Sequence, residues 1–239
     1  MSIINLTESE KNQNNLFYLQ GALSELFINT RCDVNEKEGE NRVKLSINCP
    51  DHYEDIVRSE IIDRVAEIIV IKYKYDFFKK NLSIGGISSD EREILLASLI
   101  SADLEDDKKY TIERLKNQGE IAVDGVFNFR LKPLKNKWVD IASYMPPCFV
   151  SSQLKDFITY LLEGKKKRVY IDHGKVYDHH FRRLKRASLL DGESVKIIRE
   201  ILLSNCGEVE ILGDIPKDDE KYLKEFYGDK IYFSNGYCI

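Results

Sequence analysis

The stretch Glu208–Phe233, EVEILGDIPKDDEKYLKEFYGDKIYF, decides the fold. Glu208-Val209-Glu210-Ile211-Leu212 is a short apolar strand, and Lys230-Ile231-Tyr232-Phe233 is a second. Between them, Asp218 to Phe226 places Tyr222, Leu223 and Phe226 at i, i+1, i+4 spacing, which gathers them on one side of a helix. A strand–helix–strand unit with connections this short closes as a right-handed parallel crossover. The two strands are therefore predicted to be parallel neighbours, with the helix covering one face. Upstream, Glu193 to Leu203 reads as another helix. Val169-Tyr170-Ile171 and Val176-Tyr177, flanking His173-Gly174, read as a tight hairpin. Residues 165–239 are thus expected to form a small C-terminal α/β layer.

The chain reads as α+β overall, in three consecutive blocks. In 1–84, Leu16, Leu19, Leu23, Leu26 and Phe27 give a helix over Asn12 to Asn29 one apolar stripe. A β-hairpin follows, Arg31 to Glu36 with Arg42 to Asn48, where Val43, Leu45 and Ile47 alternate with polar residues as a half-buried strand requires. Pro50 then opens a long helix through Val57, Ile61, Val65 and Ile68 toward Phe78, although the β-branched run Ile68 to Ile71 also fits a strand. Gly85-Gly86 marks the break to a helical middle region, 85–164. There Ser88 and Glu91 have capping-box spacing, and the acidic run Asp103-Leu104-Glu105-Asp106-Asp107 reads as a solvated loop. One helix is expected from about Val123 to Tyr144, stopping before Pro146-Pro147. Another runs from Ser151 to Glu163 and ends at Gly164.

With 239 residues, 43% apolar and 32% charged, the chain has the composition of a globular protein able to bury a core. The apolar run Ile68-Ile69-Val70-Ile71 falls far short of the ~20 residues of a membrane span. The N-terminus lacks the basic-then-apolar layout of a signal peptide, so a cytosolic protein is expected, with no membrane partner. Cys32, Cys49, Cys148, Cys206 and Cys238 are scattered, with no C-x-x-C, and read as incidental thiols rather than a disulfide framework or zinc site.

No catalytic signature is present. Gly85-Gly86 and Ile211–Pro216 lack the glycine spacing that brings successive N–H groups to a pyrophosphate, and no cofactor is expected. The strongest electrostatic feature is 164–186, which holds nine Lys/Arg against two Asp/Glu in a chain with 36 against 40 overall. Lys165, Lys166, Lys167, Arg168, Arg182, Arg183, Lys185 and Arg186, with Tyr170, Tyr177 and Phe181 interleaved, have the chemistry to pair phosphates and stack bases. The plainer reading is a solvated rim or a surface meeting acidic segments. Within the same stretch, His173, His179 and His180 beside Asp172 and Asp178 carry metal-ligating or general-base chemistry, but adjacent strand residues point to opposite faces.

At Phe127-Asn128-Phe129-Arg130-Leu131-Lys132 the chain resembles the YtxC family of sporulation-associated proteins of endospore-forming bacteria. The order of features resembles that family too, through Tyr170-Ile171-Asp172, Val195 to Leu202 and Glu208 to Leu212, closing on Gly228-Asp229-Lys230-Ile231. Pro133-Leu134, Pro146-Pro147 and Leu203–Cys206 depart from its pattern, as in a divergent or shortened member. The resemblance implies a cytosolic, sporulation-linked role and supplies no catalytic residue. The first expectation is therefore a non-enzymatic protein acting through an unnamed protein partner. A nucleic-acid-binding module using the basic segment is the alternative, and a metal-assisted hydrolase centred on His173, His179 and His180 is a third. Oligomeric state is not set by the patterning.

Overall fold

The computed structural model describes residues 1–116 and 118–234 and has a mixed α+β fold. Cys238 lies outside the described residues. The chain divides into two compact units, 1–74 with 105–141 and 75–104 with 142–239, so each is assembled from non-consecutive stretches. The three blocks of the sequence describe order along the chain, and these units describe grouping in space. No helix among the described residues is long and apolar enough to cross a membrane.

The first unit is built on a four-stranded sheet. In chain order its elements begin with strand β1 (Ser2–Ser9), helix α1 (Asn14–Asn29), strands β2 (Asp33–Gly39) and β3 (Arg42–Cys49), and helix α2 (Glu54–Ile68). A π turn, Ile69–Tyr73, leads into α3 (Lys74–Asn81), and α3 passes into the second unit after its first residue. The unit is completed by most of α5 (Leu104–Leu115), reached after α4 (Ser89–Ala102), then by strand β4 (Glu120–Ala122), α6 (Val123–Arg130) and most of α7 (Lys132–Tyr144). The sheet order is β2-β3-β1-β4, with β1 antiparallel to β3 over its full length and parallel to β4. Ile4, Leu6, Val43, Leu45 and Ile47 fill the core from the sheet, and Leu16, Leu19, Leu23 and Phe27 fill it from α1. That is the alternation expected, and the expected stripe apart from Leu26, which is half-buried.

Three features of this unit differ from expectation. β1 and β4 are strands that the pattern did not announce; Ile4, Leu6 and Glu8 face inward, and a carboxylate at the third inward position hides the alternation. Glu8 is fully buried, where it accepts hydrogen bonds from Tyr73 Oη (2.8 Å), Asn15 Nδ2 (3.0 Å) and the Ser9 N–H (2.8 Å). Burial pushes its carboxyl above the usual range, against those bonds. Second, the acidic run at 103–107 is not a solvated loop. Leu104 and Asp107 are buried, and Asp107 accepts from Lys74 Nζ (2.8 Å), Lys137 Nζ (2.7 Å) and Trp138 Nε1 (3.1 Å). Third, the single helix expected over 123–144 is two. Proline at 133 lacks the N–H and crowds the carbonyl four residues back, which is tolerated only in a first turn. The helix accordingly breaks at Leu131 and restarts at Lys132.

The second unit carries α4, α8 (Ser151–Leu162), β5 (Arg168–Asp172), β6 (Lys175–Tyr177), α9 (Lys196–Leu203), β7 (Glu208–Ile211), α10 (Lys217–Tyr227) and β8 (Ile231–Phe233). Ser88 caps α4 in the anticipated box: the Glu91 N–H donates to Ser88 Oγ (3.2 Å) and the Ser88 N–H to Glu91 Oε2 (2.8 Å). The sheet order is β6-β5-β7-β8, with β5, β7 and β8 parallel, so the predicted neighbour pair is present. Val169, Ile171, Val176 and Val209 face a buried helical layer in which α4 packs on α8 and α9, and α10 packs on α8 and α9. Tyr222, Leu223 and Phe226 are buried as their spacing requires. Asp219, also buried, caps α9 by accepting the Ile198 N–H (2.9 Å). Arg199 is fully buried, and its guanidinium donates to the Asp191 and Gly192 carbonyls (2.9 and 2.7 Å) and to Glu93 (3.2 Å).

Two stability predictions follow from these cores. Leu223→Ala should cost about 2–5 kcal/mol in urea denaturation, because a fully buried side chain leaves a cavity. Asp107→Ala should cost about 3–5 kcal/mol by stranding the buried Lys74 ammonium, while a Lys74→Met, Asp107→Leu double variant should recover most of it. Burial raises the Asp107 pKa, but Lys74 and the hydrogen bonds from Lys137, Lys74 and Trp138 outweigh it and hold the folded value below the usual range. The stabilisation is then complete above the unfolded value of about 3.9 and fades as pH falls through the folded one. Denaturation of wild type and Asp107→Ala should therefore converge in strong acid.

Candidate functional site

Among the described residues, the helices of the second unit pack on one face of its sheet and none packs on the other. Alternation puts Arg168, Tyr170 and Asp172 of β5 on that other face, opposite the buried Val169 and Ile171. Register then extends it sideways. Tyr170 lies opposite Tyr177 on β6 and Glu210 on β7, Glu210 lies opposite Tyr232 on β8, and Tyr177 bridges to Arg183 beyond the edge of β6. Residues paired in register share a face. One row therefore reads Arg183, Tyr177, Tyr170, Glu210, Tyr232.

Phe181 is laid on this row by a turn. Asp178 accepts the N–H groups of His180 (2.8 Å) and Arg182 (2.9 Å) and pairs with the Arg182 guanidinium (2.8 Å), while Phe181 adopts a left-handed φ of 54°. Burial raises the Asp178 pKa, but the bonds from Arg182 and His180 outweigh it and hold the carboxyl below the usual range. The Phe181 ring stacks on Tyr170 at 4.8 Å and remains 50% exposed, and Tyr232 is 41% exposed at the far end of the row.

The basic residues of the segment meet different fates. Arg168 donates to Glu208 (2.8 Å) and Glu210 (3.0 Å), and its guanidinium stands 4.2 Å over the Tyr232 ring. The Ser234 hydroxyl and then Arg168 hold the Glu210 carboxyl below its ordinary value. Arg182 is taken by Asp178. Arg186 turns inward, donating from Nη1 to the Leu203 carbonyl (2.8 Å). Lys165 is half-buried, and Lys166 and Lys167 are exposed at the entry to β5. Arg183 and Lys185 reach a small recess of about 110 Å³, where they are joined by Lys175 and Lys196. Glu200 also lines it, accepting the N–H groups of Arg186 (2.9 Å) and Ala187 (2.6 Å). The eight basic residues thus differ in their surroundings. Three are engaged with protein oxygens, and two contribute to a cationic recess.

The three histidines do not converge. His173 sits in the β5–β6 turn with Nδ1 2.6 Å from Asp172 Oδ1, whereas His179 and His180 lie ring against ring, 3.8 Å apart, in the turn after β6. Among the described residues no three His, Cys, Asp or Glu side chains are grouped to hold a metal ion.

Two members of this surface escaped sequence reasoning. Tyr232 was readable only once β7 and β8 were known to pair in register, since alternation alone does not say which face is covered. Lys196 stands 21 residues beyond Lys175 in sequence, and only the packing of α9 against β6 brings it to the recess. The chain matches no family model, no curated protein and no solved structure.

Proposed function

We propose that this chain is a non-enzymatic, YtxC-like protein of sporulating bacteria that works in the cytosol by protein–protein contact, through the helix-free face of its C-terminal sheet. The observation that supports this reading is the composition of that face. Four rings, Tyr170, Tyr177, Phe181 and Tyr232, occupy one row and its cover, while beside them Arg168 is paired with both Glu208 and Glu210. Aromatic side chains and arginine concentrate at protein interfaces because they bury much area for little lost rotamer freedom, and lysine does not. A polyanion, by contrast, gains little from an arginine already committed to two carboxylates.

A second reading has its own observation. Lys175, Arg183, Lys185 and Lys196 ring one recess, and this cluster suits a phosphate-bearing strand better than an apolar partner.

Affinity capture from sporulating cells, with wild type and a Phe181→Ala, Tyr232→Ala double variant as paired baits, tests the first reading. A partner retained by wild type and weakened at least about 30-fold by the double variant, as loss of a hot spot of about 2 kcal/mol requires, is the expected outcome. Equal retention by both baits, or a deletion strain that sporulates at wild-type efficiency, would overturn it. For the second reading, a duplex engaging all four cations should lose about 100-fold in affinity between about 50 and 200 mM salt, and this loss should shrink in Arg183→Ala.

A further inference from the structure

Cys32 and Cys49 are 17 positions apart in sequence, and nothing in their spacing links them. The hairpin does. β2 and β3 pair antiparallel with Asp33 opposite Asn48, and continuing that register by one residue sets Cys32 against Cys49. Both lie on the inward side of the hairpin, where Val34 faces Ile47, and their thiols interact side chain to side chain. Directly opposed residues in an antiparallel pair have Cα atoms roughly 4.5–5.5 Å apart, inside the roughly 4.4–6.8 Å window that a disulfide spans without backbone movement.

The two thiols differ in access. Cys49 is fully buried, and burial followed by the neighbouring Cys32 thiol pushes its pKa up. Cys32 is partly exposed at the junction of α1 and β2, with its Sγ 3.1 Å from Thr30 Oγ1 and its N–H donating to the Phe27 carbonyl (2.9 Å). An oxidant therefore meets Cys32 first, and the resolving thiol is already in place behind it.

We propose that Cys32 and Cys49 form an oxidisable pair, a site where a small-molecule disulfide such as glutathione disulfide installs a cross-strand bond between β2 and β3. The Cys32 thiolate attacks one sulfur of the oxidant and expels one glutathione thiolate, leaving a mixed disulfide on Cys32. Cys49 then gives its proton to water and attacks Cys32 Sγ, expelling the second glutathione thiolate. One disulfide is consumed, one is made, and two glutathione thiols leave with the two protons. The new bond closes the loop that contains the whole hairpin turn and ties the end of α1 to β3. Its effect is to restrict the unfolded chain, so the oxidised protein melts higher than the reduced one.

The test uses the full chain, treated with glutathione disulfide, alkylated, and digested with trypsin without reduction. The expected product is a cross-link between peptides Cys32–Lys37 and Leu45–Arg58, absent in Cys32→Ser. It should be accompanied by a melting temperature several degrees above that of the reduced protein, reversed by dithiothreitol and missing from Cys32→Ser. Glutathione remaining on Cys32 while Cys49 stays a free thiol would overturn the proposal. So would a link from Cys32 to Cys148, Cys206 or Cys238, or recovery of both thiols unoxidised.

Discussion

The buried pair of Lys74 and Asp107 is the constraint around which the first unit is arranged. An ammonium with no exposure is tolerable only if a carboxylate meets it inside the protein, because the cost of desolvating one charge alone runs to several kcal/mol. Asp107 meets it and also accepts from Trp138, the largest fully buried side chain, so one carboxylate links three helical segments. Trp138 stacks on Phe127 at 5.7 Å, and Phe127 packs on Tyr73 at 4.6 Å. Tyr73 in turn donates to the buried Glu8 at the end of β1. The core of this unit is therefore a relay of rings and buried polar groups laid over the aliphatic packing of sheet and helix.

How far the fold could be read from sequence depended on whether the buried positions were apolar. Leu16, Leu19, Leu23 and Phe27, or Tyr222, Leu223 and Phe226, declare their faces by spacing alone, and both helices stand where that spacing puts them. Asp107 and Glu8 declare nothing. A carboxylate in an acidic run looks solvated until its buried lysine is known, and Lys74 is 33 residues away in sequence. The break at Leu131 was legible in principle, because Pro133 sits inside the run, yet the amphipathic pattern continues across it.

The basic segment shows the same limit from the other side. Its nine cations are a fact of sequence, but a charge acts on a partner only if the protein has not already answered it. Arg168 is answered by Glu208 and Glu210 from a strand 40 residues on, and Asp178 answers Arg182 from within the turn. What remains is a ring-bearing sheet with a small cationic recess at its margin and the exposed Lys166 and Lys167 at the entry to β5.

The π turn between α2 and α3 sets a phase. Each residue of an α-helix advances the face by about 100°, so the wider turn at Ile69–Tyr73 shifts everything after it relative to a continuous α-helix. Ile68 to Ile71, at the turn itself, are all buried, and the shift brings the Tyr73 hydroxyl to Glu8 and the Lys74 ammonium to Asp107. A chain that kept every residue here but ran as an uninterrupted α-helix would turn Lys74 by about 100° away from its carboxylate, whereas loss of one residue together with the wide turn would restore its direction. Length and hydrogen-bond pattern in this stretch are therefore coupled: a one-residue deletion is absorbed by loss of the wide turn, whereas a change of length that kept the wide turn would swing Tyr73 and Lys74 away from Glu8 and Asp107 together.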